Sequence, residues 1–179
     1  YNFDLIKPPI EYTAVKPKDV SFVPLGFTEK MGLDEILERH PKGIEYGNIV
    51  KKHPLYPMLF DSDGKVLSFP PIINSTDLGK ITEESRNLLV EVTGTLHKTV
   101  LNTLNLVTLA LIDRGGKAYS ATINYPEASG YPEKTVVTPD FNNRLVPLSV
   151  EYTNRLLGLK LTGKQICELL LTAGLGVEK

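Results

Sequence analysis

A strand-turn-helix segment in the middle of the chain places the strongest constraint on the fold. Residues 87–92 read Asn-Leu-Leu-Val-Glu-Val, a pattern that predicts a β-strand, and Thr93-Gly94-Thr95 interrupts it. Apolar residues then recur every three or four positions from Leu96 to Leu111, which predicts one helix over about 96–113. Polar residues, His97 among them, interrupt this stretch, so it does not have the pattern of a membrane span.

A β-hairpin is predicted before this segment. Residues 57–60 and 65–68 flank Asp61-Ser62-Asp63-Gly64, in which the Asp-Gly pair supplies the positive φ of a tight turn. Further strands are predicted at 20–23, 118–125 and 135–138, and helices at 33–40 and 43–52. Apart from Ile72-Ile73, residues 72–82 are polar and predicted to be irregular. The first part of the chain is therefore predicted to be an α+β domain with antiparallel strands.

The composition changes after Pro139, and two short helices are predicted there. Ser149 can cap a helix that runs to about Leu157, and Thr162 with Gln165 forms a capping box for a helix to about Thr172. Such a pair is typical of a helix-turn-helix unit, and it is too small to bury its own apolar face. We therefore predict two domains, 1–139 and a truncated second module at 140–179.

Composition excludes several classes of site. The 179 residues carry 20 basic and 21 acidic side chains, so no overall positive field is available to hold nucleic acid. A single cysteine, Cys167, excludes an internal disulfide and a cysteine-rich zinc site. The three histidines do not have metal-site spacing, and no phosphate loop or nucleophile elbow is present, so no metal is predicted. No secretory leader precedes Tyr1, and we expect a fragment or processed chain in the cytoplasm.

The turn at residues 93–95 is a candidate anion-binding site. A strand that feeds a turn and a helix leaves free N–H groups at Gly94, Thr95 and Leu96, which suit a carboxylate, a phosphate or a developing oxyanion. Glu91 and Thr93 are two residues apart, so strand geometry would direct both side chains to one face. The alternative is that Thr95 is only a helix cap and that Glu91 is only an exposed strand residue.

Several segments together resemble the editing module of the phenylalanine–tRNA ligase β subunit of archaeal/eukaryotic type. The similarity extends in the same order over nearly the whole chain, and the segments 140–179 are similar to the winged-helix-like module that follows. The segments that carry the resemblance are Lys7–Ile10, Phe22–Gly26, Leu33–Leu37, Ser68–Asn74, Ser85–Thr95 and Tyr152–Gly158. The resemblance implies two packed β layers with helices on one side, a layered β/β/α arrangement.

The activity that the resemblance implies is proofreading. In the family this module hydrolyses tyrosine that is wrongly esterified to tRNA(Phe), whereas the α subunit of a heterotetramer activates phenylalanine with ATP and magnesium. The expected partners are therefore mischarged Tyr-tRNA(Phe) and the α subunit, with no membrane. No cofactor is expected in this chain, because the acidic residues linked to magnesium are expected beyond it or on the other subunit.

The resemblance also implies the residues that bind the aminoacyl group. Leu59 and Ser68, on the predicted hairpin strands, correspond to pocket walls, and Asn74 to a polar contact with the aminoacyl group. Glu91 corresponds to the acceptor for the tyrosine phenol, at a position where aspartate is expected in many archaeal-type members.

The implied chemistry is attack by water on the ester. Thr93 corresponds to the residue that orients the water, and Gly94 permits close backbone approach and can donate its N–H to the ester carbonyl. Catalytic roles are therefore assigned to Thr93 and Glu91. His97 is a further candidate for contact with the tRNA end, and its alternative role is that of a polar residue on the exposed helix face.

Two other functions remain open from the sequence. The chain could be a non-catalytic module that binds tRNA and helps to assemble the synthetase, in which case a filled pocket and a large apolar patch are expected. It could also be an unrelated helix-turn-helix binder that uses residues 140–179. The near balance of basic and acidic residues in that tail argues against this last function.

Overall fold

The computed structural model describes residues 1–178, and Lys179, which ends the predicted second module, lies outside them. The fold is α+β with antiparallel sheets, which confirms the predicted class. The chain divides into two compact units, Tyr1–Asp140 and Phe141–Lys179. Among the described residues, no helix has the length and apolar character needed to cross a bilayer.

Eight strands form three antiparallel sheets within the described residues. The largest has four strands in the order β1-β4-β5-β6, whereas β2 pairs with β3 and β7 pairs with β8. The strands are β1 (Glu11–Val15), β2 (Ser21–Phe22), β3 (Met31–Gly32), β4 (Tyr56–Phe60), β5 (Val66–Phe69), β6 (Ile73–Asn74), β7 (Ala121–Asn124) and β8 (Thr135–Thr138). The predicted pairings of the 57–68 hairpin and of residues 135–138 with the preceding strand are confirmed.

The turn between β4 and β5 is organised by one buried carboxylate. Asp61 Oδ1 accepts hydrogen bonds from the backbone N–H groups of Asp63 at 3.0 Å and Lys65 at 2.9 Å. Gly64 has φ +74°, the left-handed conformation that the Asp-Gly pair predicted. The turn leads into the Phe60–Val66 pair, and a β-bulge at Leu67 then brings Leu59 opposite Ser68.

The register of the four-stranded sheet places four residues in one row. Tyr12 of β1 lies opposite Leu59 of β4, Leu59 lies opposite Ser68 of β5, and Ser68 lies opposite Asn74 of β6. Residues directly opposite in antiparallel strands present their side chains to the same face. The row therefore carries Tyr12, Leu59, Ser68 and Asn74 across one face of the sheet.

Six α-helices occur in the described residues, and most lie where the sequence predicted helices. Pro41 opens the second helix earlier than expected, because proline at the first helical position loses no hydrogen bond. That helix ends at Tyr46 and continues as a 3-10 turn over Gly47–Ile49. The helices are α1 (Leu33–Arg39), α2 (Pro41–Tyr46), α3 (Thr76–Gly79), α4 (His97–Ile112), α5 (Val150–Leu157) and α6 (Gly163–Thr172).

The sheet separates two apolar cores. The first core contains α1, the β2–β3 pair and one face of the sheet, and its fully buried members include Met31, Leu33, Ile36, Met58 and Phe69. The second core lies on the opposite face of the sheet and consists of Tyr1, Ile6, Leu59, Leu67 and Leu78.

The strand predicted at residues 87–92 is wrong. This segment is extended, but it forms only one isolated bridge, between Asn2 and Leu88. Its backbone partners are Tyr1 and Phe3. The Leu89 N–H donates to the Tyr1 carbonyl at 3.1 Å, and the Phe3 N–H donates to the Asn87 carbonyl at 2.9 Å. The ladder does not extend further because Phe3–Leu5 turns into a 3-10 helix. The irregular region predicted at 72–82 instead contains β6 and α3.

The second unit contains the two predicted helices. The Ser149 hydroxyl accepts from the Tyr152 N–H at 3.2 Å, and Thr162 and Gln165 form the predicted capping box. The Asn154 side chain joins the helices to their connection, because it bonds both the N–H and the carbonyl of Leu161 at 2.7 and 2.8 Å. The predicted helix-turn-helix pair is therefore held by polar contacts.

At Gly43, helices α1 and α2 approach each other closely. A β-carbon there would lie 2.1 Å from the Ile36 carbonyl oxygen and 2.7 Å from Leu37 Cα, both of which are backbone atoms. We expect Gly43→Ala to destabilise the first unit by about 1–3 kcal/mol through this overlap. Urea unfolding followed by circular dichroism measures the change.

Gly47→Ala is the matched control for this substitution. Its β-carbon would meet only side-chain atoms at 3.5 Å or more, so the gain in helix propensity should leave stability unchanged or slightly higher. Equal stabilities of the two variants would contradict the packing of α1 against α2.

Candidate functional site

A cavity of about 460 Å³ opens between β5, β6 and the extended segment that precedes α4. This volume lies within the range of roughly 300–1,000 Å³ that is usual for small-molecule sites. Its polar wall is formed by Tyr1, Ser68, Asn74, Glu91 and Thr93. The rest of the lining is mainly apolar or aromatic and comprises Leu25, Lys42, Tyr46, residues 69–73, Ile81, Leu89 and Val90.

The sheet register positions Ser68 and Asn74 in this wall. The two residues are direct cross-strand partners on β5 and β6, so their side chains share one face. Asn74 is further restrained by Gly79 of α3, since a β-carbon on Gly79 would lie 2.4 Å from Asn74 Cβ. Glycine at position 79 therefore allows α3 to pack directly against Asn74.

The extended segment supplies Glu91 and Thr93. Both side chains line the same cavity, Glu91 half-buried and Thr93 exposed. The segment is tied down two residues earlier, where the Tyr1 nitrogen donates to the Leu89 carbonyl at 3.0 Å and the Leu89 N–H donates to the Tyr1 carbonyl. The two residues that the sequence assigned to one face thus open onto one space, although no continuous strand carries them.

A tyrosine side chain of the chain itself bonds the carboxylate of Glu91. The Tyr1 phenol bonds Glu91 Oε2 in a short contact and Ser68 Oγ at 2.9 Å. Tyr1 is only 7% exposed and belongs to the second core. Glu91 therefore sits at the boundary between the second core and the open cavity, with its carboxylate held from the core side.

Burial controls the ionisation of both groups in this pair. It raises the pKa of the Glu91 carboxyl, and the hydrogen bond from Tyr1 acts in the opposite direction. Burial also raises the pKa of the Tyr1 phenol, and the neighbouring Glu91 carboxylate adds to the rise. The phenol is therefore neutral and acts as a donor to the carboxylate.

The structure does not bring every predicted site residue into the cavity wall. Leu59 is 6% exposed and packs in the second core, next to Ser68 in the sheet rather than in the lining. Gly94 is exposed and also lies outside the lining. Their binding roles remain predictions.

Leu96 is the N-cap of α4 and makes no side-chain cap bond, so Thr95 is not the helix cap. His97 is exposed and contacts the Tyr131 hydroxyl.

Three lining residues carried no recognisable signal in the sequence. Tyr1 reaches Glu91 across 90 positions, a contact that local patterns cannot reveal. Lys42 and Tyr46 are four residues apart on α2, and Lys42 Nζ lies 5.6 Å from the centre of the Tyr46 ring. Their helical spacing was available, but nothing indicated that this face of α2 borders the cavity.

The acidic side chains of this region do not assemble a metal site. Within residues 1–178, no group of three or more histidine, cysteine, aspartate or glutamate side chains could hold a metal ion. What the polar wall of the cavity offers instead is one carboxylate, three hydroxyls and an amide, which suits a ligand with a hydroxyl donor and further polar groups.

Comparison with curated proteins finds similarity over 170 residues, 95% of this chain. The phenylalanine–tRNA ligase beta subunits of Thermococcus kodakarensis and Pyrococcus furiosus are each 45% identical over that length. The chain spans only 28% and 29% of these two relatives, less than a third of their length. No protein-family model matches the chain.

Comparison with solved structures finds the same family. An N-terminal fragment of the phenylalanyl-tRNA synthetase beta subunit from Pyrococcus horikoshii superposes with a TM-score of 0.81 at 39% sequence identity. The match covers 95% of this chain and 47% of that chain.

The raised pKa of Glu91 predicts a pH dependence of stability. Because the folded-state pKa lies above the ordinary value of 4.5, the stabilising contribution of the protonated form is complete below that value. It is lost as the pH rises through the folded pKa. We expect Glu91→Gln, which cannot ionise, to become more stable relative to the parent chain between about pH 4 and about pH 8.

Urea midpoints of the parent and of Glu91→Gln, measured across this range, test the prediction. Glu84→Gln removes a carboxylate from an exposed part of the preceding segment and controls for the loss of one negative charge. Parallel pH curves for the parent and Glu91→Gln would show that Glu91 ionises in the folded chain as it does in the unfolded one.

Proposed function

The chain belongs to the family of phenylalanine–tRNA ligase beta subunits, and from that premise we propose that its first unit is an editing module. It hydrolyses the ester of tyrosine that is wrongly attached to tRNA(Phe). The observation that carries the proposal is the single cavity lined by Ser68, Asn74, Glu91 and Thr93. These four are among the residues that the family resemblance assigned to the editing site.

The position of Glu91 suits recognition of a phenol. Its carboxylate already accepts a hydrogen bond from a phenol, that of Tyr1, and it also lines the cavity. A ligand that lacks the hydroxyl, such as phenylalanine, would leave the remaining acceptor sites of this half-buried carboxylate without a donor. Sites that bind a substrate hydroxyl in this manner reject the analogue without it by about 10⁴–10⁵-fold. An apolar pocket for phenylalanine rejects tyrosine far less strongly, which is why a second site is needed.

The chemistry requires only water and correct positioning. The water oxygen forms a bond to the ester carbonyl carbon, the bond from that carbon to the terminal ribose oxygen breaks, and the ribose oxygen leaves with a proton. Thr93, which is exposed to the cavity, orients the water, and the neighbouring ribose hydroxyl assists the proton transfer. The Gly94 N–H donates to the developing oxyanion.

The remainder of the assignment concerns the whole synthetase. We propose that the second unit is the beginning of a winged-helix-like module and that the chain works in the cytoplasm with an α subunit, in a heterotetramer that binds tRNA(Phe). ATP and magnesium act in the synthetic site of that assembly, outside this chain. The second unit has three acidic and three basic side chains among its residues 150–178, so it offers no strongly positive surface.

One observation favours a second candidate function, a non-catalytic role in assembly. Helix α4 exposes large apolar side chains, with Leu106 at 68%, Leu109 at 45% and Leu111 at 38% exposure. Exposed apolar residues on one helix are typical of surfaces that contact another part of an assembly. If assembly is the only role, the chain binds its partner subunit but does not hydrolyse mischarged tRNA.

Deacylation of Tyr-tRNA(Phe) by the chain tests the editing function. We expect Thr93→Val to lower the rate by about 10²-fold, because the water loses its orienting hydroxyl. Glu91→Ala should lower the preference for tyrosyl over phenylalanyl ester by at least tenfold, because the phenol loses its acceptor. Release of labelled tyrosine measures both.

Thr95→Val is the matched control, since Thr95 lies in the same segment but outside the cavity lining, and its rate should equal that of the parent. Parent-like rates for both Thr93→Val and Glu91→Ala would refute the site. Absence of hydrolysis by the parent chain, together with binding to the partner subunit, would favour the assembly role.

A further inference from the structure

We propose that Tyr1 is a positioning residue for Glu91: its phenol holds carboxylate oxygen Oε2 from the core side, so that Oε1 is presented to the phenol of a bound tyrosyl group. The inference rests on the proposed function of the cavity. Tyr1 belongs both to the second core and to the cavity wall. Because Tyr1 is fixed in the second core, its phenol restrains the position of the Glu91 carboxylate.

The direction of the hydrogen bonds follows from counting protons. An ionised carboxylate can only accept, so the single hydroxyl hydrogen of Tyr1 is donated to Glu91 Oε2. The Ser68 hydroxyl, 2.9 Å from the phenol oxygen, then donates to Tyr1. The two hydrogen bonds therefore run in one direction, from Ser68 to Tyr1 and from Tyr1 to Glu91. Glu91 Oε2 thereby accepts one hydrogen bond, and the carboxylate keeps acceptor capacity, Oε1 included, for a second donor.

The structure favours a Tyr1 that stays fixed in the cavity wall over one that acts as a plug and must withdraw before a ligand binds. The Tyr1 phenol is chemically the same group as the phenol of the expected ligand, so a mobile Tyr1 would compete for Glu91. However, Tyr1 is only 7% exposed, and its backbone is bonded in both directions to Leu89. The cavity of about 460 Å³ exists with Tyr1 in place. Withdrawal of Tyr1 would break these bonds and expose its ring.

The other ionisable groups near Glu91 are few. The Tyr12 phenol senses the Glu91 charge from β1, and the Tyr1 backbone nitrogen lies on the Leu89 side. Lys42 lines the same cavity from α2. Only the Tyr1 phenol bonds the carboxylate among the contacts of the described residues, so its removal should change the ionisation of Glu91 most strongly.

The experiment compares Tyr1→Phe with Tyr12→Phe in the full chain. Tyr1→Phe keeps the buried ring and removes only the hydroxyl. Tyr12→Phe removes the hydroxyl of Tyr12, which lies in the same row of the sheet as Ser68. Tyr12 is 63% exposed and lies outside the cavity lining. Deacylation of Tyr-tRNA(Phe) and Phe-tRNA(Phe) is measured against pH, with kcat and KM separated.

We expect Tyr1→Phe to lower the tyrosyl-over-phenylalanyl preference in kcat/KM by about tenfold or more, mainly through a higher KM for the tyrosyl ester. The acidic limb of the pH profile should move to higher pH, because the hydrogen bond that opposed the effect of burial on the pKa of Glu91 is gone. Tyr12→Phe should change neither.

A higher kcat/KM for Tyr1→Phe would overturn the proposal in favour of a plug. An unchanged preference and pH profile in a folded variant would reduce Tyr1 to a structural residue.

A binding measurement separates this inference from the proposed function. If the parent chain does not hydrolyse the ester, the editing function fails. The role of Tyr1 is then decided by NMR titration of the Glu91 carboxyl carbon and by the affinity for L-tyrosinamide against L-phenylalaninamide. A raised Glu91 pKa together with a lost preference for L-tyrosinamide in Tyr1→Phe supports the role. Parent-like values for both refute it.

Discussion

The alignment of three strands decides where a site can form in this fold. Leu59, Ser68 and Asn74 are successive cross-strand partners on β4, β5 and β6, so their side chains share one face of the sheet. The buried Asp61 carboxylate holds the turn between β4 and β5, because it accepts from two backbone N–H groups there, and a β-bulge after the Phe60–Val66 pair brings Leu59 opposite Ser68. A shift of one residue would move Ser68 to the opposite face, into the first core. The position of the cavity therefore depends on the turn and on the bulge together.

The half-buried Glu91 carboxylate is the second constraint. A carboxylate removed from water needs hydrogen-bond donors, and the Tyr1 phenol supplies one from the second core. Ser68 completes the chain from the sheet. Two elements that are distant in sequence, the first residue and the segment before α4, are thereby joined to the sheet at a single polar point. Such an arrangement combines a stable structural contact with an acceptor that is open to a ligand.

The sequence predicted the local elements better than their partners. The β4–β5 hairpin, the Thr162–Gln165 capping box and the long helix α4 follow from turn chemistry, capping and periodicity, which act over a few residues. The strand at 87–92 was wrong, because its propensity was correct but its neighbour leaves as a 3-10 helix after Asn2. The family resemblance placed Ser68, Asn74, Glu91 and Thr93, which share the cavity. Tyr1 was missed because its contact depends on tertiary structure alone.

The contact between α3 and β6 links two positions that are five residues apart. Any side chain on Gly79 would overlap the β-carbon of Asn74, which is 2.4 Å from the place a new β-carbon would take. Gly79 therefore cannot take a side chain while position 74 carries a β-carbon. Within this backbone, position 79 accepts a larger residue only if position 74 becomes glycine, which also removes the amide. Glycine is consequently expected to persist at position 79 in every chain that shares this backbone and keeps a side chain at position 74, whichever polar residue that side chain belongs to.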